Sequence, residues 1–385
     1  MSKLKNIGYE LRDVAVMQAP VSFVNHREEA NPFVNICNRE VYPIFVAPMG
    51  SITDQHNYKT WIENKLTPVV PRTVQKSEAN PDGLTFEERM KIAKETFVSV
   101  SLKEAQKEVQ EYLLEQARYL AENPDCGLYP GDTYYICIDI AHGTLSELYD
   151  VCKLIKRVYG KQVVIMTGNI ANPAAYSFYA DAGVDFCRVG IGGGSRCTTS
   201  CNVSVHFPTA TLLDMLNEER KAYAHSHNGN APTKIIADGG IGWFDDIQKA
   251  LALGADAVMC GRIFAECEEA CGPIYWSRNE QTACQEDCRV YEPVNTVGEG
   301  WKKYREFWGM SSKTAQILTG GSGCKTSEGI NKPVEVKYPV AKWIDNMQSY
   351  LRSCMTYTNS RTIKELRENA QVIILGGSGD AAYRK

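Results

Sequence analysis

Long apolar runs are missing from this sequence. No uninterrupted stretch approaches the roughly 20 residues that a membrane-spanning helix needs, so no span is expected. The first 20 residues, MSKLKNIGYELRDVAVMQAP, have neither a long apolar core nor a small-residue cleavage site. That argues against a secretory signal and for a cytoplasmic protein. Positive charge is not in excess either: 42 Lys and Arg stand against 46 Asp and Glu, a formal charge of −4. No basic surface is therefore expected to take nucleic acid or an anionic membrane. No internal repeat, low-complexity tract or shift in composition marks a boundary, and a single catalytic domain over 1–385 is expected.

Cysteine, by contrast, is plentiful, with 14 in the chain. Without a secretory signal these read as reduced thiols and not as a disulfide framework. Cys137, Cys187 and Cys260 lie in strand-like runs and are expected to be small buried hydrophobes.

Eight short apolar, β-branched runs recur: PIFVAPM (43–49), LTPVVPR (66–72), ETFVSVS (95–101), YYICIDI (134–140), QVVIMTG (162–168), DFCRVGI (185–191), KIIADGG (234–240) and ADAVMCG (255–261). They are continuous, not alternating, as parallel strands covered on both faces are. Helical stretches ending in Gly separate several of them, such as LSELYDVCKLIKRVYG and FDDIQKALALG. The pattern predicts a (β/α)8 TIM barrel, with an open doubly wound sheet as the alternative.

Glycine and polar residues cluster just after the strands, where a barrel builds its active site. ADGGIG and MCGR follow the last two strands, and their glycines let backbone N–H groups approach a phosphate. One loop is unusual: GIGGGSRCTTS (190–200) surrounds Cys197 with glycines and hydroxyls. A thiol that must reach a ligand needs such a loop, and a buried one does not. Beyond the eighth strand, 262–385 reads as a long irregular tail with turn-rich EPVNTVGEG and LTGGSGCKTSEG, a helix near 340–352 and another at TIKELRENA. A loop as long as 313–333 is usually functional or mobile. Cys267, Cys271, Cys284 and Cys288 form two pairs four apart, which on helices would share a face and could close a zinc site. The alternative, ordinary reduced thiols in a surface insertion, weighs more, and no metal site is assigned.

Together, ICIDIAHG, TGNI, GIGGGSRCTTS, DGGIGWFDDIQKALALGADAVMCGR, FWGMSS and SEGINKPVEV, in that order, resemble the IMP dehydrogenase and GMP reductase family. The likeness runs from about Val46 to Leu366. It implies a barrel that binds a purine nucleoside monophosphate and a nicotinamide cofactor, a homotetramer, and possible use of a monovalent cation such as K+. By resemblance Cys197 is the nucleophile that attacks carbon 2 of the purine. Ser195 contacts phosphate, with Gly240, Gly261 and Arg262. Thr199 assists proton transfer, and Asp238 holds the ribose hydroxyls. Met310 and Ser311 face the base, while Asp139 and Gly190 lie on the cofactor side. Asp238 has a second reading as a helix cap, and Thr199 as a residue bonded to its own backbone.

Within the family, the features lean to the reductase branch. The segment 313–327, KTAQILTGGSGCKTS, holds neither Arg nor Tyr, where the dehydrogenase has a water-activating pair. The dehydrogenase's inserted regulatory module is missing between Arg72 and Glu95, and Glu328 matches a reductase Glu that works with the Thr. The expectation is therefore a GMP reductase, converting GMP to IMP and ammonia with NADPH. The alternatives are an IMP dehydrogenase using NAD and a nucleotide-binding regulatory protein without turnover. Four departures from the family pattern stand out: Gly193 for Pro, Arg196 for a small apolar residue, Gly50 for Asp and Arg72 for Lys.

Overall fold

The computed structural model describes residues 7–122, 132–291, 300–320 and 326–376. Each of the eight apolar runs contains a strand: β1 (Ile44–Val46), β2 (Thr67–Val70), β3 (Phe97–Val100), β4 (Tyr134–Asp139), β5 (Val163–Ile170), β6 (Phe186–Val189), β7 (Lys234–Asp238) and β8 (Ala257–Cys260). They pair in parallel and in chain order, and β8 closes back onto β1 with Val258 opposite Ile44. Closure makes the fold a (β/α)8 barrel and removes the open-sheet alternative. β1, β2, β3, β4, β6 and β8 are buried at every position. One face of each packs on helices and the other fills the interior, which is why their sequences run apolar without alternation.

The lower interior is a plug of large side chains. Phe45, Phe97 and Phe186 meet edge-on with centroids 5.6–5.8 Å apart, among Cys137, Met166, Ile236 and Met259. A hairpin of Val34–Ile36 and Arg39–Val41 adds Ile36 and Val41 to this cluster.

The region after β8 differs from the irregular tail expected. It holds an antiparallel sheet of β9 (Ile274–Ser277), β10 (Lys302–Trp308) and β11 (Asn331–Glu335), with β10 in the centre. Pro333 sits in β11, an edge strand, where a missing N–H is tolerated. Arg305 of β10 is completely buried and pairs with no carboxylate among the described residues. Its guanidinium donates instead to the carbonyls of Ala265, Cys267, Glu268 and Gly272, tying the chain after β8 to the sheet. The stretch 313–333 is only partly loop, since it contains the helix Lys313–Leu318. Residues 292–299 and 321–325 of the two turn-rich stretches lie outside the described residues. Helices Val340–Tyr357 and Ile363–Asn369 follow, and Gln371–Ile374 pairs antiparallel with Val14–Met17. Among the described residues no helix is long and apolar enough to cross a membrane.

Candidate active site

The C-terminal ends of β4, β6 and β7 carry Asp139, Arg188 and Asp238. Arg188 bridges the two carboxylates, with Nη1 2.6 Å from Asp139 Oδ1 and Nη2 2.8 Å from Asp238 Oδ2. Asn169 donates from Nδ2 to the same Asp238 oxygen at 2.9 Å and to the Gly190 carbonyl at 2.8 Å. Burial pushes the Asp139 carboxyl up, but Arg188, seconded by Arg72, outweighs it and holds the group below its ordinary range. Asp139 Oδ2 is buried and has no hydrogen-bond partner among the described residues. An orphaned carboxylate oxygen beside a cleft is a place for a ligand hydroxyl. Asp238 does not cap the next helix: Asp246 does, accepting from Gly242 N and Trp243 N at 2.9 Å each.

Cys197 lies in the loop after β6, half-buried. Its Sγ donates to Thr199 Oγ1 at 3.2 Å, and Thr199 Oγ1 donates to Glu328 Oε2 at 2.6 Å. Thr199 thus bonds a carboxylate far along the chain and not its own backbone. The Thr198 N–H reaches the Glu328 carbonyl at 2.8 Å, so backbone pairing brings the two segments into register. Gly190 opens this loop with φ +121°, and a Cβ there would lie 2.4 Å from the Asp238 carbonyl oxygen. Only glycine fits that position.

Asp139, Gly190, Cys197, Thr199, Asp238 and Glu328 line one cleft of about 450 Å³. Ser195, Gly240, Gly261 and Arg262 share its wall, as do Met310 and Ser311. Arg262 is also engaged within its own helix, its Nε 3.0 Å from Glu266 Oε1. Arg188, Asn169 and Arg72 belong to this wall as well and were not among the residues assigned from sequence. Arg188 had a signal: one charge inside an apolar run of a strand covered on both faces must find a buried partner. At Gly50 a Cβ would lie 2.3 Å from Thr73 Oγ1, so the departure from Asp there leaves no space for a side chain.

The four cysteines of the insertion do not converge. Cys267 donates to the Ile263 carbonyl at 3.5 Å, Cys271 to that of Gly50 at 3.3 Å, and Cys288 to Gln285 Oε1 at 3.4 Å, while Cys284 is exposed. Neither pair lies along one continuous helix. Among the described residues no group of three or more His, Cys, Asp or Glu is arranged to hold a metal ion.

The family model of the IMP dehydrogenase / GMP reductase domain matches residues 128–382. The chain is 32% identical over 246 residues to an inosine-5'-monophosphate dehydrogenase of Chlorobaculum tepidum, an alignment covering 63% of this chain and 46% of that one. It is 34% identical over 245 residues to the protein of the same name from Staphylococcus epidermidis, and 33% over 245 to that of Staphylococcus aureus, with the same coverages. The chain spans about half the length of the curated relatives it matches. These names overturn the leaning to GMP reductase and to NADPH-dependent GMP chemistry. The physical reason is that Thr199 with Glu328 can carry a proton in either reaction, so their presence does not select the reductase. With the match covering well over half of its length, the chain belongs to the IMP dehydrogenase / GMP reductase domain family.

Proposed function

We propose that the protein oxidises inosine monophosphate to xanthosine monophosphate with NAD, through a covalent bond between Cys197 and carbon 2 of the purine. The observation that carries this reading is the hydrogen-bonded line from Cys197 through Thr199 to Glu328 on the barrel rim. The names of the relatives support the choice of reaction. In the line, the thiol proton passes to Thr199 as the Thr199 proton passes to Glu328, leaving the sulfur free to attack. Asp238 orients the nucleotide through its ribose, and Ser195, Gly240 and Gly261 face the phosphate. The orphaned Asp139 Oδ2 fits a ribose hydroxyl of the dinucleotide, with Gly190 alongside. Bound NAD supplies the acceptor for the hydride that leaves carbon 2. Glu328 gives up the thiol proton to solvent; water then adds at carbon 2, Thr199 backed by Glu328 takes its proton, and the carbon–sulfur bond breaks to return the Cys197 thiolate. Segment 313–327 has no Arg or Tyr to take that proton. Assembly as a homotetramer is part of the same proposal and is read by light scattering.

The test is absorbance at 340 nm. IMP-dependent formation of NADH is expected, and Cys197→Ala abolishes it while calorimetry still finds the nucleotide bound. Glu328→Gln lowers turnover by about 10²–10⁴-fold, the usual share of acid–base catalysis. Nucleotide binding with no absorbance change would instead favour a protein without turnover, and an active Cys197→Ala would remove the covalent route.

A further inference from the structure

Arg196 immediately precedes the nucleophile, and its surroundings are unusual for a charged side chain. Its guanidinium donates to four backbone carbonyls: Nε to Phe307 at 3.3 Å, Nη1 to Ser195 at 3.3 Å, and Nη2 to Lys332 at 3.3 Å and Pro333 at 3.2 Å. It also lies 4.8 Å from the centre of the Phe307 ring. No carboxylate among the described residues is within ion-pairing distance of it. Phe307 belongs to β10 and the other two distant acceptors to β11, so one planar fork spans two strands. The backbone continues the attachment. The Ile330 N–H reaches the Arg196 carbonyl at 3.0 Å, and Cys197 forms an antiparallel bridge with Gly329. Close approach is built in, because a Cβ on Gly309 would sit 3.0 Å from the Arg196 oxygen and one on Gly329 3.4 Å from it.

The sheet is itself braced by the cysteine-bearing insertion. β9 comes from that insertion and pairs with β10, with Ile274 opposite Arg305, and helix Glu280–Ala283 packs on β11. Arg305 then fixes the start of the insertion to β10 through the same kind of contact, a guanidinium among carbonyls. The sequence departure at 196 and the insertion thus meet in one place.

We propose that Arg196 is a positioning residue for the reaction: by spreading its guanidinium across the carbonyls of β10 and β11, it holds the Cys197 loop on the sheet and keeps Cys197, Thr199 and Glu328 in one line. It rests on the reading of Cys197 as the nucleophile. A lysine keeps the charge but not the planar fork that serves several acceptors at once. A methionine keeps the length and the contact with the Phe307 ring but donates nothing.

The test compares Arg196→Lys and Arg196→Met with the unaltered full chain. Both are expected to lose about 10–100-fold in kcat, the cost of a small misplacement of the reacting group. The KM for IMP should move by less than about twofold, since uniform binding is untouched. Iodoacetamide, applied without substrate and read by peptide mass spectrometry, should label Cys197 several-fold faster in both variants. Cys354, on the helix Val340–Tyr357, should label at an unchanged rate. Full kcat in Arg196→Lys would overturn the proposal, because charge alone would then suffice. A loss confined to KM would overturn it too, by making Arg196 a nucleotide contact, and so would unchanged labelling of Cys197. Should Arg196→Met fail to fold, Arg196→Lys decides alone. Should the unaltered chain show no turnover with IMP and NAD, the functional reading fails, while the labelling still decides whether Arg196 holds the loop.

Discussion

Two residues separate the oily floor of the barrel from its charged rim. On β6 the step is from Phe186 to Arg188, on β7 from Ile236 to Asp238, and on β4 from Cys137 to Asp139. Positions i and i+2 of a strand face the same way about 6.6 Å apart, so the two sets form successive layers of one interior. The lower layer is self-sufficient: its side chains gain by excluding water, and any one of them can be altered at the cost of its own contacts. The upper layer is interdependent, because each buried charge is tolerable only while its neighbours remain. The floor is apolar and the rim holds the charged groups of the candidate site, from the same strands and the same periodicity.

The largest expected break in this contrast is Arg188→Met. It leaves Asp139 and Asp238 without their shared cation and should cost about 3–5 kcal/mol, measured by urea unfolding. Converting all three to apolar residues (Asp139→Leu, Arg188→Met, Asp238→Leu) extends the lower layer upward. It should recover much of that stability while nucleotide binding is lost. A triple variant no more stable than Arg188→Met would show that the layers are not interchangeable in this sense. In the floor, Phe97→Leu should cost about 1–2 kcal/mol through lost contact and a small cavity. Its kcat should stay within about twofold of the unaltered protein, and a larger loss would mean that the layers are coupled.

The smallest effect is that of acid. The Asp139 carboxyl is held below its ordinary range in the fold, so its contribution to stability is complete above the unfolded value near pH 4. It is lost as pH falls from there towards the folded value. The urea midpoint should therefore decline more steeply between about pH 5 and 3 in the unaltered protein than in Asp139→Asn, which has no carboxyl to titrate. Equal slopes would show that Arg188 does not hold the Asp139 charge.

The barrel was legible because parallel strands covered on both faces must be apolar throughout, and eight such runs stand out in the sequence. The loop around Cys197 was legible for the opposite reason, as a stretch too rich in glycine to serve packing. β10 escaped notice because KKYREFW reads as charged, and nothing in the heptapeptide says that Arg305 is satisfied by carbonyls from 265–272. Arg196 is similar, three of its four acceptors lying on strands more than a hundred residues further along. Glu328 and Thr199 were paired only through the family resemblance. The 2.6 Å between their side-chain oxygens is set by backbone pairing between segments whose own sequences give no sign of it.

The pairing of Val14–Met17 with Gln371–Ile374 bears on how the chain folds. Helix Phe244–Ala252 packs against both strands, so part of its cover depends on residues synthesised after the whole barrel. During synthesis the early strand waits with an open edge while the barrel behind it forms. An open edge invites pairing with other chains, and a contact between such distant segments is slow to make. That late closure is thus the step at which crowding on the ribosome, or high concentration on refolding, would most readily divert this protein into aggregates.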